Sequence, residues 1–387
     1  MEYLQLRTEK TTLEIAVFAE GGAREFHLFV KNNAPDGFAG QLSNIGGALD
    51  EWLQEYHICA NAVVFARYFV SDYANQATAL ETVLDQIAAV PRAVSIVEQP
   101  PIDGNKVAAW FYIIDDGRPA EAEALSDREL RVRRGGYEHL WSTRLAVGDG
   151  LPASFYQTAH IFENYSDSLE KRGGSLKDNC IRTWLFVKDI DFNYGGLVEA
   201  RRELFRRHGM TEETHFISST GIGGRCADPQ ISVMMDAYAV GGVRPEQIRF
   251  LEARENLNPT HEYSVTFERG TSLDYGDRRH IFISGTASID SAGKVLHTND
   301  VRRQADRAME NIAALLADAD ADLGDVAQMI VYLRDISDAG TVSHYFHENH
   351  RDIPKIIVLA PVCRPGWLVE IECTAIRRAD NPAFGNF

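Results

Sequence analysis

Three times along the chain an apolar run ends in Asp: residues 62–72, 180–189 and 326–335. Each run is followed by a stretch with helical spacing, then a second apolar run, a turn and a third. The second and third runs are 91–97 and 107–113 in the first copy, 215–220 and 231–238 in the second, and 354–359 and 367–372 in the third. Such runs, rich in Val, Ile, Phe and Tyr, predict strands. Amphipathic helices are predicted ahead of the first and third copies. Residues 41–56 carry Leu42, Ile45, Leu49, Trp52 and Leu53 at helical spacing. Residues 300–319 carry Val301, Ala305, Ala308, Met309, Ile312, Leu315 and Leu316, with Asn299 as the expected N-cap. Strands alternating with helices predict an α+β fold of mixed sheets, each covered by helices on one face. The copies start roughly 120 and then roughly 145 residues apart, which describes an old fusion rather than a solenoid. Charged, strand-poor segments at 115–136 and 244–262 read as linkers. The expected units are 1–135, 136–262 and 263–387.

One strand departs from the apolar pattern. Leu368-Val369-Glu370-Ile371-Glu372 sets two acids into an apolar run. Counting in twos, Leu368, Glu370 and Glu372 face one way and Val369, Ile371 and Cys373 the other. Cys363 and Arg364 sit in the preceding turn, which Pro365-Gly366 shapes. A carboxyl group held partly out of water has its proton affinity raised, which suits a general acid. The same pattern also describes an edge strand with both acids in water.

Lys plus Arg number 39 and Asp plus Glu 56, so the net charge of −17 argues against nucleic acid as a partner. It leaves room for a small anion, because a few local arginines can outweigh a distributed negative field. No apolar run reaches the length of a membrane span, and the start MEYLQLRTEK has no signal-like apolar segment. Five cysteines without a CxxC pair argue against disulfides and a zinc site, and the cytoplasm is the expected compartment. Thr220-Gly221-Ile222-Gly223-Gly224 lacks the lysine of a phosphate loop and reads as a tight turn joining two strands. His344, His347 and His350 recur every third residue without an acidic or cysteine partner, so they read as a solvated helix face and no metal is expected. Taken alone, Arg201, Arg202, Arg206 and Arg207 also read as a solvated helix face. Gly285 is either a site of close ligand approach or a β-bulge. Cys363 is either an acid/base group or an inert buried thiol.

Residues 280–288, the helix from Asp300, the strand at 331–335 and the strand at 369–372 come in the order of the RidA/YjgF family, which the third copy resembles. Proteins of that family are trimers with clefts between subunits. Three copies on one chain therefore imply an internal pseudo-trimer that works as a monomer. The length, the two upstream copies and the 220–224 motif together look like the chorismatase family, an enlarged branch of this fold. The likeness runs from about Ser175 onward and is fainter before it. It implies cofactor-free removal of the enolpyruvyl side chain of chorismate as pyruvate. The family's catalytic glutamate matches Glu370. Its clamping tyrosine and arginine, seven apart, match Tyr194 and Arg201, and a further binding arginine matches Arg269 in Phe267-Glu268-Arg269-Gly270. One subtype hydrolyses the ether to a dihydroxycyclohexadiene acid and resembles Ala at two places; another aromatises the ring to 3-hydroxybenzoate and resembles Gly and Cys there. This chain has Gly285 and Cys363, so the second product is expected. The loop before Phe267 is shorter than the family's, with Tyr263 standing in for its tyrosine. The alternatives are hydrolysis without aromatisation, mixed hydroxybenzoates, an imine deaminase of the RidA type and a non-enzymatic binding module. The deaminase would hold a carboxylate with an arginine near the last strand, and Arg364 lies a few residues from that place.

Overall fold

A computed structural model describes residues 1–387 except 88, 89, 119, 149, 151, 152 and 264, and for 84–87 and 263 it describes the backbone alone. The first unit runs β1 (Glu2–Arg7), β2 (Thr11–Glu20), β3 (Ala23–Asn32), α1 (Phe38–Glu55), β4 (Val63–Val70), α2 (Tyr73–Ile87), β5 (Ala93–Glu98) and β6 (Val107–Asp115). The second runs β7 (Glu121–Ala124), β8 (Glu129–Arg134), β9 (Tyr137–Leu145), α3 (Ser154–Glu170), α4 (Leu176–Asn179), β10 (Cys180–Val187), α5 (Ile190–Arg207), β11 (Ser218–Gly223) and β12 (Val233–Gly241). The third runs β13 (Ile248–Phe250), β14 (Gly270–Asp274), β15 (Arg278–Ala287), α6 (Val301–Asp318), β16 (Val326–Leu333), α7 (Ala339–Asn349), β17 (Lys355–Leu359) and β18 (Val369–Arg378).

Each unit forms one six-stranded sheet, and the three strand orders are the same: β1-β2-β3-β6-β4-β5, β7-β8-β9-β12-β10-β11 and β13-β14-β15-β18-β16-β17. In each, three antiparallel strands lead into a strand–helix–parallel strand crossover, and the last strand inserts in the middle. The chain is thus three RidA-like units arranged as an internal pseudo-trimer. Each unit's own helices cover its outer face; in the first, Leu42, Ile45, Leu49 and Trp52 of α1 pack on its sheet. The inner faces share one core, in which Trp110, Trp141, Trp184, Tyr238 and Phe282 come from all three sheets.

One buried ion pair crosses each boundary between units. Arg67 reaches Asp236 at 2.9 Å, Arg182 reaches Glu372 at 2.8 Å, and Arg278 reaches Glu25 at 2.6 Å. Breaking one such pair strands a charge at a cost of about 3–5 kcal/mol, so these contacts tie the order of the units to the fold.

Four expectations are corrected. Residues 115–136 are not a linker: β7 and β8 lie there and form the outer edge of the second sheet, which begins at Glu121 rather than at 136. Within 244–262, β13 likewise opens the third sheet at Ile248, before 263. β7 and β13 are short edge strands with little buried apolar surface, and β8 alternates charged residues with the buried Leu130 and Val132. The 220–224 motif is strand, not turn: Thr220 to Gly223 pair in parallel with β10. The N-cap of α6 is Asp300, whose side chain accepts from the Arg303 amide at 3.0 Å, while Asn299 takes a positive φ of 63°. No described helix is long and apolar enough to cross a membrane.

Candidate active site

β18 lies between β15 and β16 in the middle of its sheet, which settles where its acids point. Glu370 and Glu372 both face the second unit, and both are buried, at 5% and 1% exposure. Their surroundings differ. Glu372 is fully engaged, accepting from Arg182 at 2.8 Å and from the Trp184 indole at 2.7 Å. Glu370 receives no hydrogen bond from the described residues and lines a cavity of about 510 Å³ of empty volume, counted to its mouth. Burial raises the Glu370 carboxyl to about 8, and the neighbouring charge of Glu372 adds to the rise against the pull of Arg182 and Arg269. Strand alternation alone leaves the two acids equivalent. The partners of Glu372 leave Glu370 as the group free to exchange a proton.

The cavity lies between units two and three. Tyr194 and Arg201 enter from α5, Arg269 from the approach to β14, Gly285 from β15, Cys363 and Arg364 from the turn before β18, and Glu370 from β18. Arg201 is only 2% exposed, so its helix turns this residue inward rather than to water. Its Nε donates to the Thr266 hydroxyl at 3.1 Å and its Nη1 to the Ser219 hydroxyl at 3.4 Å. Arg269 donates through Nη2 and Nε to the Asn258 carbonyl at 2.9 and 3.3 Å. The Phe267 ring lies within cation–π reach of both, 6.0 Å from the Arg201 guanidinium and 5.7 Å from that of Arg269. Arg364 lies 5.1 Å over the Trp367 ring on the same wall. The side chain of Tyr263 lies outside the described residues; its backbone closes a short helical turn at Thr260–Tyr263.

Two glycines make this packing possible. A Cβ on Gly221 would meet the Tyr194 ring at 3.0 Å, so this strand glycine seats the tyrosine. A Cβ on Gly285 would collide with the carboxyl oxygen of Glu370 and stand 2.9 Å from its Cδ. The Gly285 amide donates to the Thr220 hydroxyl at 2.9 Å, and Arg182 donates to the same oxygen. Gly285 also sits at a register shift between β15 and β18, so bulge and close approach are the same feature. Burial pushes the Cys363 thiol up to about 12, and the charge of Glu370 adds to it against a hydrogen bond with Tyr194. A thiol so raised is neither a thiolate nucleophile nor a proton donor near neutrality.

With Glu370 protonated near pH 7, three arginines face an uncharged acid in a half-apolar pocket. That arrangement receives an anion and can give it a proton. Sequence reasoning missed the residues that hold these groups: Thr266 and Ser219 for Arg201, Asn258 for Arg269, Thr220 for Gly285, and Phe267 between the guanidiniums. Of the supporting set, Arg182 had a visible signal, a charge in the middle of an apolar strand. Among the described residues no group of three His, Cys, Asp or Glu side chains is placed to hold a metal ion. His344 is exposed and meets Glu348 at 3.1 Å.

Residues 257–377 match the model of the family described as Endoribonuclease L-PSP. A RutC family protein of Pyrococcus abyssi is 33% identical over 96 residues, covering 25% of this chain and 76% of the relative. A RutC family protein of Drosophila melanogaster is 32% identical over 100 residues, covering 25% of this chain and 72% of the relative. A crystal structure of a chorismatase aligns with 93% of this chain and 99% of its own at a TM-score of 0.63 and 17% identity, a likeness of the whole three-unit fold. The chain belongs to the RutC family.

Proposed function

We propose that the chain is a chorismatase that converts chorismate to 3-hydroxybenzoate and pyruvate. The observation that carries this reading is the pairing of a buried, high-pKa Glu370 with Arg201 and Arg269 in one cavity. Chorismate is a dianion bearing an enol ether. Its cleavage begins when a proton is added to the enolpyruvyl methylene, leaving an oxocarbenium-like centre. Glu370 is still protonated at neutral pH and supplies that proton; its carboxylate then faces the cation it has made. Arg201 and Arg269 hold the two carboxylates, a task that suits the arginine fork. Conversion to 3-hydroxybenzoate and pyruvate consumes no water overall, because the two products together have the atoms of chorismate. Hydrolysis to the diene diol consumes one. Gly285 and Cys363 favour the first outcome by resemblance to the benzoate-forming subtype. Gly285 also lets the Glu370 carboxyl occupy its present place.

A second reading rests on Arg364, which lines the same cavity. A rat relative, 31% identical over 104 residues, is named 2-iminobutanoate/2-iminopropanoate deaminase, and in that reaction an arginine would hold the imine's carboxylate. Purified protein supplied with chorismate, and separately with 2-aminoacrylate, distinguishes the two. Pyruvate with an aromatic acid from chorismate supports the first. Accelerated loss of 2-aminoacrylate with no turnover of chorismate replaces it with the second.

A further inference from the structure

The pseudo-threefold arrangement gives the active-site cleft a counterpart. In the active-site cleft, the edge strand of unit two, β11, bridges to unit three through Ile222 and Val362. The edge strand of unit three, β17, bridges to unit one in the same way, through Val358 and Pro101. Ile222 and Val358 are each the next-to-last residue in the pairing of their strands with β10 and β16. Registered on these bridges, Ser219 corresponds to Lys355, Cys363 to Ile102, and Arg364 to Asp103. Each of these six residues lines its own cleft. The central strands continue the match. Glu370 opposes Tyr332 one place from the end of its pairing, and Ala108 opposes Phe69 at the same place in unit one. Ala287, opposite Glu370, corresponds to Lys31, one residue beyond the pairing of Val30 with Ala109.

The second cleft therefore lacks the acid and has gained cations. Lys31 and Lys355 are joined by Arg7 and Arg351, against two acids, Glu14 and Asp103, in a chain of net charge −17. Glu14 is already engaged, accepting from the Lys31 ammonium at 2.6 Å and from the Lys355 amide at 3.0 Å. Lys355 is only 7% exposed, and its ammonium donates to the Arg351 carbonyl at 3.3 Å, so this cation is built into the wall. Arg7 and Arg351 have no ion pair among the described residues. The cleft encloses about 980 Å³ of empty volume open to solvent, and Phe346, Ile356 and Ile357 give it an apolar side.

We infer that this cleft binds a small organic dianion, its charges on Arg7, Arg351 and Lys355 and its body against Phe346 and Ile357, and that it does not turn the ligand over. The inference stands on register and charge and does not depend on the reaction assigned to the first cleft. The probe is isophthalate, an aromatic dicarboxylate, titrated calorimetrically into the full chain at low salt. Arg7→Glu with Arg351→Glu should weaken binding at least tenfold, and Arg7→Lys with Arg351→Lys should hold it within about threefold. Hydrogen exchange should slow in Lys355–Leu359 on binding. Undiminished affinity in the double charge reversal overturns the inference, as does slowed exchange confined to Ser218–Gly223, which would place the probe in the first cleft.

Discussion

Replacing Gly285 with Ala tests whether the acid's position carries the chemistry. The new Cβ would stand 2.9 Å from the Glu370 Cδ, against a carbon–carbon contact of about 3.5–4.0 Å. The backbone cannot yield toward unit two, because the same Cβ already meets the Thr220 methyl at 3.1 Å and the Gly285 amide is tied to the Thr220 hydroxyl. The carboxyl must therefore retreat by roughly 1 Å, a displacement that typically costs about 10²-fold in rate. That corresponds to about 2.7 kcal/mol on the barrier. Arg201 and Arg269 are anchored elsewhere, so substrate binding should change little. With pyruvate release coupled to NADH oxidation by lactate dehydrogenase, kcat should fall about 10²-fold, with KM within about threefold of wild type. An unchanged kcat would show that the proton donor does not depend on the space Gly285 leaves. Adding Cys363→Ala reproduces the two alanines of the hydrolytic pattern. Among the products of the double variant, the diene diol should gain over 3-hydroxybenzoate, and an unchanged ratio contradicts the subtype.

Three further outcomes follow from the same geometry. In the proposed mechanism the protonated form of Glu370 is the donor, so kcat should fall as pH rises through about 8, and a flat profile from pH 6 to 9 would remove it from that role. Between the ordinary carboxyl value of 4.5 and about 8 the unfolded chain has lost the proton that the folded chain keeps, so stability falls as pH rises across that window. Glu370→Gln removes this penalty, at most roughly 5 kcal/mol. Urea unfolding should then show the variant gaining on wild type at pH 9 relative to pH 5, and equal differences at both pH values would contradict the buried, raised acid. Arg269→Lys keeps the charge but loses the fork, so KM for chorismate should rise at least tenfold, about 1.5–3 kcal/mol for a charge-assisted contact. An unaltered KM would place the carboxylate elsewhere.

The parts of the fold legible in the sequence are those with a strong period. The central strands β4, β10 and β16 are buried at every position and read as continuous apolar runs. The stripes of α1 and α6 were equally plain. Edge strands were not: Glu-Ala-Glu-Ala in β7 is mostly exposed, and pairing at a sheet edge leaves no mark in composition; in its neighbour β8 only Leu130 and Val132, set among charges, reach the core. At the site, an acid within an apolar strand marked Glu370, but its twin Glu372 carried the same mark. Only the reach of Arg182 and Trp184 across the unit boundary separates the two, and contacts between residues nearly 200 positions apart have no local signature. Arg201 stood among four arginines of one helix, and its inward turn depends on Ser219 and Thr266 from other elements. Gly221 read as a turn because glycine is common there, whereas it is a strand residue that gives room to Tyr194.

The most direct measurement is to incubate the purified chain and its Glu370→Gln variant with chorismate, and to quantify pyruvate and aromatic acids by chromatography. The account predicts pyruvate and 3-hydroxybenzoate in equal amounts from the wild type, and a loss of at least 10²-fold in the variant. Absence of pyruvate from the wild type, or full activity in the variant, would contradict it.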